Sequence, residues 1–153
     1  MKVRDVMDTD LVCVTPEHAV QQAAALMAEH GYTALPVVDA KGAIVGMITE
    51  LDLLKLLLPD FLEDMDELGF LPADMAVGRY SFDEISCIPV ARAMRTDLVH
   101  VVTEDEPVME AIRIMVRHRV RHLAVVMGTQ VIGMLRSSDI VREIIHPSPE
   151  DCE

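Results

Sequence analysis

Residues 46–52 read Gly46-Met47-Ile48-Thr49-Glu50-Leu51-Asp52, and residues 133–139 read Gly133-Met134-Leu135-Arg136-Ser137-Ser138-Asp139. Two further pairs of segments match in the same order, at a spacing of 87 or 88 residues. They are residues 3–7 with residues 90–94, and residues 30–38 with residues 118–126. An ordered series of matches predicts one supersecondary unit used twice, with the two copies related by a pseudo-twofold axis.

The spacing divides the 153 residues into a first repeat (1–58), an acidic insertion (59–89), a second repeat (90–146) and a tail (147–153). A unit of this size is marginal for burying a core alone, so the two repeats are expected to pack together. Hydrophobic periodicity and turn signals predict strand, helix, strand, strand, helix in each copy. The predicted fold class is therefore α/β in the broad, mixed α+β sense.

The predicted boundaries follow from caps and apolar runs. Strands are expected at residues 11–14, 35–38 and 43–48, and again at residues 98–102, 122–126 and 130–135. Helices are expected to start at Thr15-Pro16-Glu17, Thr49, Thr103 and Ser137. The helix after Thr49 is leucine-rich on nearly every side, which predicts a cover from the other repeat and from a second chain, and hence a homodimer.

Charge and composition exclude several classes of protein. The net charge of −13 argues against a general nucleic-acid surface. The second repeat nevertheless holds eight of the thirteen basic residues, all of them arginine, the side chain suited to phosphate oxygens. The three cysteines have no metal-ligand spacing and indicate free intracellular thiols. Without a signal peptide or a long apolar run, we expect a cytoplasmic protein that does not enter the membrane.

The insertion has two interpretations. It contains all three phenylalanines and the acidic run of residues 63–67. One is an exposed acidic helix whose aromatics dock on the repeats, and the other is an element that binds a partner or Mg²⁺.

The Gly-x-x-Thr-x-x-Asp pattern at Gly46, Thr49 and Asp52 also has two interpretations. Structurally it is a capping box, in which Thr49 caps a helix and Asp52 answers it. Functionally, a strand that leads into a helix start offers free amides, a hydroxyl and a carboxylate. Those groups suit the phosphate and ribose of a nucleotide.

The wider sequence around this pattern resembles a CBS domain, named for cystathionine β-synthase. The resemblance rests on Asp5-Val6-Met7, Thr15-Pro16, the alanine-rich helix, residues 30–39 and residues 46–53, and it extends to the second repeat. Two such domains in tandem resemble a CBS pair, or Bateman module. The resemblance implies a regulatory module, not an enzyme, that binds AMP, ADP, ATP or S-adenosylmethionine between the repeats and signals to a partner protein.

The resemblance also implies roles for particular residues. Asp52 and Asp139 would hold ribose hydroxyls, and Thr49 would contact phosphate. The adenine pocket of the first repeat would be lined by Thr33, Ala34 and Pro36, with Val14 and Thr15 at its edge. Its counterpart would be lined by Arg121, His122 and Ala124, with Val102 and Thr103. No cofactor or metal is implied, and Mg²⁺ would enter only as a nucleotide counter-ion.

The second repeat departs from this pattern at two positions. Arg136 stands where Thr49 stands, and Ala124 replaces Pro36. Arg136 would either clamp phosphate or fill the site and block it. Arg121 and His122 add positive charge at the same site, whereas the first repeat has the neutral pair Thr33 and Ala34. We therefore expect the Asp139 site to favour a polyphosphate and the Asp52 site a less charged adenosine ligand.

Other functional candidates are weaker. His118 and His122 are four residues apart but fall at a helix end and a strand start, which does not suit a zinc site. Glycine-rich phosphate loops, nucleophile elbows and Cys/His pairs at motif spacing are all lacking. The alternative function, which Arg136 and Ala124 favour, is a structural or protein-interaction module of the same fold that binds no ligand.

Overall fold

The computed structural model describes residues 1–58, 82–97 and 99–145. The first repeat comprises a short 3₁₀ turn followed by one helix, an antiparallel strand pair and a second helix. These elements are the 3₁₀ turn Val3–Asp5, α1 (Val20–His30), β1 (Ala34–Val38), β2 (Ile44–Thr49) and α2 (Glu50–Lys55). Val14 adds a single parallel bridge to Val37 at the edge of the pair.

After one short helix from the insertion, the second repeat has the same order of elements, except that a strand, β3, stands where the first repeat has only the bridge at Val14. The elements are α3 (Phe82–Ser86), the 3₁₀ turn Val90–Arg92, β3 (Val101–Thr103), α4 (Val108–His118), β4 (His122–Met127), β5 (Gln130–Arg136) and α5 (Ser137–Ile144). β3 pairs parallel with β4, and β4 pairs antiparallel with β5. The mixed α/β class with tandem repeats is confirmed.

The two repeats exchange their N-terminal segments, residues 3–8 and residues 90–95, which we call the exchanged segments. Val3, which has no exposed surface, packs in the core of the second repeat, and Val90, equally buried, packs in the core of the first. The backbone is exchanged as well. The amide of Val3 donates to the carbonyl of Glu106 at 2.9 Å, and the amide of Val90 donates to the carbonyl of His18 at 2.7 Å. Each core is therefore completed by chain from the other repeat.

This exchange explains where two predicted helix starts are wrong. The first helix begins at Val20 rather than near Glu17, and its equivalent begins at Val108 rather than after Thr103. The carbonyls of Pro16 and His18 accept hydrogen bonds from Ala91 and Val90, so that turn pairs with the exchanged segment instead of starting a helix. Tertiary hydrogen bonds thus override the local capping signals.

Two predicted strands are also shorter than expected. Residues 11–14 form only the bridge at Val14, and the strand predicted at residues 98–102 is β3, which begins at Val101. The other four strands agree with prediction within about two residues. The acidic run of the insertion lies outside the described residues. Cys13 and Cys87 are free thiols.

Candidate ligand-binding site

A cleft of about 460 Å³ lies where the two repeats meet. We call it the Thr49 cleft. Each repeat supplies about half of its wall, and the lining residues are Thr33, Ala34, Met47, Thr49, Glu50, Leu51, Leu54, Arg95, Val99, His100, Arg119, Val120, Arg121 and His122. A volume of this size is ordinary for a small-molecule site.

Equivalent strand starts meet inside this cleft. Thr33 and Ala34 stand at the start of β1, and Arg121 and His122 stand at the start of β4. The hydroxyl of Thr33 and Nδ1 of His122 lie 3.0 Å apart, at hydrogen-bond distance. The cleft therefore combines the two sets of residues that the sequence had assigned to separate sites.

Asp52 lies behind the cleft wall, 5 % exposed, with both carboxylate oxygens in use. The amide and the hydroxyl of Thr49 each donate to Oδ2 at 2.9 Å, and the Asp52 amide donates back to the Thr49 hydroxyl at 3.2 Å. The predicted capping box is confirmed. Nε of Arg95 donates to Oδ1 at 2.9 Å, so a residue of the exchanged segment completes the carboxylate's partners.

Arg119 reaches the cleft from a left-handed backbone position. It follows α4 with φ of 55°, where Gly31 follows α1 with φ of 68°. Glycine adopts this conformation freely, but an L side chain pays about 1 kcal/mol for it. The second repeat thus carries a strained arginine where the first carries the ordinary helix terminator. Together with Arg95 and Arg121, it gives the cleft three arginines against a single glutamate.

Asp139 belongs to a smaller cavity of about 240 Å³, which we call the Asp139 cleft. Arg136 holds the Asp139 carboxylate through Nε at 2.6 Å and Nη2 at 3.0 Å, and Arg142 adds a third contact at 3.2 Å. The Arg136 guanidinium also lies 5.0 Å above the Tyr32 ring and 3.7 Å from Asp8. Arg136 is therefore bound on several sides by its own protein.

Ionisation in this region follows from those contacts. The Tyr32 hydroxyl donates to Asp8 at 2.6 Å, which lowers the pKa of Asp8. Burial, and then the same bond, raise the pKa of Tyr32 to about 12. Burial and the nearby Arg136 lower the pKa of His122 to about 4, so this imidazole is neutral at pH 7.

Two histidines stack beside the Thr49 cleft, and one of them, His100, lines it. The rings of His100 and His118 stack with centroids 3.9 Å apart. Burial, followed by repulsion from His118, lowers the pKa of His100. The described residues include no group of three His, Cys, Asp or Glu side chains arranged to hold a metal ion.

The remaining predicted residues fall into two groups. Val14, Pro36, Val102 and Ala124 are buried core residues rather than residues that line the Thr49 cleft. Thr15 and Thr103 make local turn contacts, Thr15 with His18 and Thr103 with Glu106.

Several residues of the cleft are not among those predicted from the sequence, and Arg95 and Arg119 are the most important of them. Each has a signal in the repeat alignment: Arg95 corresponds to Asp8, and Arg119 to Gly31. At both positions the second repeat has an arginine where the first repeat has a residue without positive charge. The grouping of Arg121 and His122 with the Asp139 site is wrong as a statement of position, because both line the Thr49 cleft.

Among the described residues, no helix combines the length and apolar character needed to cross a membrane. The fold and the clefts define a two-repeat α/β module with two clefts lined by residues of both repeats. The family comparison agrees: the CBS domain model matches residues 3–59 and 84–146, and the chain belongs to this family.

Several proteins are similar along most of this chain. YhcV of Bacillus subtilis, a CBS domain-containing protein, is 26% identical over 138 residues, which cover 90% of this chain and 81% of YhcV. MJ1404 of Methanocaldococcus jannaschii is 29% identical over 146 residues, 94% of this chain but only 32% of MJ1404. The crystal structure of CBSX2 in complex with AMP superposes with a TM-score of 0.70 at 25% identity, over 94% of this chain and 96% of that chain.

Proposed function

We propose that this chain is a regulatory module that binds a phosphate-bearing adenosine ligand in the Thr49 cleft and transmits the binding to a partner protein. The observation that carries the proposal is the cleft itself, a small-molecule-sized space lined by Arg95, Arg119 and Arg121. Arginine recognises phosphate oxygens through paired, charge-assisted hydrogen bonds. The AMP complex of CBSX2, a structural neighbour, supports the choice of adenosine ligand.

The contacts of Asp52 suggest how such a ligand would act. Its Oδ1 is held by Arg95, whose side chain is half exposed and therefore free to leave. In the proposed bound state, ribose hydroxyls take the place of Arg95 on Asp52, and Arg95 turns to the phosphate. Arg95 lies on the segment that follows the insertion. The replacement of Arg95 by ribose on Asp52 would therefore change the preferred position of that segment. Differential affinity for the two positions is what a regulatory response requires.

The sequence predicts the more highly charged ligand at the Asp139 site, and the charges that line the two clefts favour the opposite. The Asp139 cleft is lined by four acidic residues and two arginines, whereas the Thr49 cleft has three arginines and one glutamate. We therefore place the phosphate-bearing ligand at Thr49.

Calorimetric titration with AMP, ADP, ATP, S-adenosylmethionine and adenosine tests the proposal. We expect AMP to bind at least about tenfold more tightly than adenosine, a difference of about 1.4 kcal/mol, because only AMP engages the arginines. Arg121→Gln should weaken AMP binding but leave adenosine binding unchanged. Arg113→Gln, the same change on an exposed α4 side chain outside the cleft, is the control.

The alternative function is a protein-interaction module without a ligand. It is favoured by the full set of partners that Asp52 already has. Melting experiments separate the two functions, since a ligand at about 100 times its Kd stabilises by about 2.7 kcal/mol. If none of the five compounds binds or shifts the melting temperature, the ligand proposal is wrong and the alternative stands.

We also propose that the module is a homodimer. α2 exposes Leu51 and Leu54, and α5 exposes Val141 and Ile144, each at least 50 % accessible. Contiguous apolar helix faces of this kind mark interaction surfaces. Light scattering should give the mass of two chains for the wild type and of one chain for Ile144→Glu. Val116→Glu, on an exposed residue of α4, should remain dimeric, and a monomeric wild type would contradict the proposal.

A further inference from the structure

Two equivalent residues on the exchanged segments carry opposite charges. Asp8 bridges Met134 through backbone hydrogen bonds of 2.8 and 3.0 Å, and Arg95 bridges Met47 through bonds of 2.7 and 2.9 Å. The backbones are therefore placed alike on β5 and β2. One side chain delivers a carboxylate to the Asp139 cleft, and the other delivers a guanidinium to the Thr49 cleft.

The two buried carboxylates, Asp52 and Asp139, also pair with arginines from different parts of the fold. Asp52 takes its arginine from the exchanged segment, as Arg95, while Asp139 takes its arginine from the adjoining strand, as Arg136. Arg95 is 49% exposed and makes one hydrogen bond to its carboxylate. Arg136 is 22% exposed and makes two, besides its contacts with Tyr32 and Asp8. Arg95 can be displaced by a ligand, whereas displacing Arg136 would leave Asp139 and Asp8 with fewer partners.

We infer that the chain takes one anionic adenosine ligand, in the Thr49 cleft, and that Arg136 and Asp8 close the Asp139 cleft to it. This inference rests on the proposed function and adds the stoichiometry and the residues that determine it. Arg136 occupies the position of Thr49 and satisfies Asp139 from within the protein. Asp8 adds a carboxylate that repels phosphate in the place where Arg95 would attract it.

The inference is tested by counting sites with AMP in a calorimetric titration. We expect one equivalent of AMP per wild-type chain. The double variant Asp8→Arg with Arg136→Thr gives the second site the two residues of the first, and we expect a second equivalent to bind. Asp83→Asn, which raises the net charge by the same single unit outside both clefts, should still bind one equivalent.

A separate variant protects the test against failure of the double variant to fold. Thr49→Arg gives the first site the residue of the second and should lower AMP affinity at least about tenfold, because the new guanidinium can tie Asp52 as Arg136 ties Asp139. Two equivalents of AMP on the wild type, or unchanged affinity of Thr49→Arg, would overturn the inference while leaving the proposed function in place. No binding of any adenosine compound to the wild type would overturn both.

Discussion

Replacing Gly46 by alanine is expected to destabilise the protein by about 3 kcal/mol and to weaken AMP binding at least about tenfold. A Cβ at Gly46 would lie 2.6 Å from the carbonyl oxygen of Arg95 and 3.3 Å from the sulfur of Met94. Because the contact at 2.6 Å is with backbone, the exchanged segment itself has to move. That movement carries the Arg95 side chain away from Asp52 and from the Thr49 cleft.

Gly133→Ala is the matched control for this prediction. A Cβ there would lie 2.6 Å from the carbonyl oxygen of Asp8, so the steric conflict is the same in the other half of the molecule. We expect a similar loss of stability, measured by urea unfolding, with AMP affinity retained. Wild-type stability in both variants would show that the exchanged segments are not held tightly by the strands. Equal loss of AMP binding in both would show that Arg95 has no special part.

The substitution Val3→Asp is expected to destabilise the second repeat, although residue 3 lies in the first. Val3 has no exposed surface and packs among core residues that include Val102, Val108 and Leu123. The variant loses the burial of an aliphatic side chain and places a carboxyl group there without a partner. Together these cost about 3–5 kcal/mol, a large part of the stability of a typical domain.

Native-state hydrogen exchange locates that effect. Protection should fall first in α4, β4 and β5, with β1 and β2 less affected. Val90→Asp, on the equivalent buried residue, should produce the reverse pattern, and Val116→Asp, on an exposed residue, should leave both repeats protected. If Val3→Asp prevents folding, Val3→Ala should show the same distribution at a cost of about 1–2 kcal/mol. Loss of protection confined to α1 and β1 would contradict the exchange.

How much of the site could be read from the sequence depends on how local each contact is. The capping box of Thr49 and Asp52 joins residues three positions apart, so its geometry follows from the pattern alone. The hydrogen bond from Arg95 to Asp52 joins residues 43 positions apart, so no local sequence pattern predicts it. The alignment of the two repeats does mark Arg95, because it differs in charge from Asp8.

The same reasoning accounts for the errors in the helix starts. Thr15-Pro16-Glu17 is a sound capping signal for an isolated segment. In the folded chain, the carbonyls of Pro16 and His18 instead accept hydrogen bonds from the exchanged segment, and the helix begins at Val20. A capping signal describes hydrogen bonds within a few residues. In the folded chain, hydrogen bonds to residues far away in the sequence compete with them and here prevail.

By itself, the sequence determined the repeated unit, its strand pairs and the carboxylate near the start of each last helix. These follow from periodicities and caps that act within a few residues. Only the tertiary structure decided that the repeats exchange their N-terminal segments and that Arg95, Arg119 and Arg121 share one cleft. The physical reason is that packing and hydrogen bonds between residues far apart in the sequence bring the cleft residues together. Such contacts produce no regular spacing that a sequence pattern could reveal.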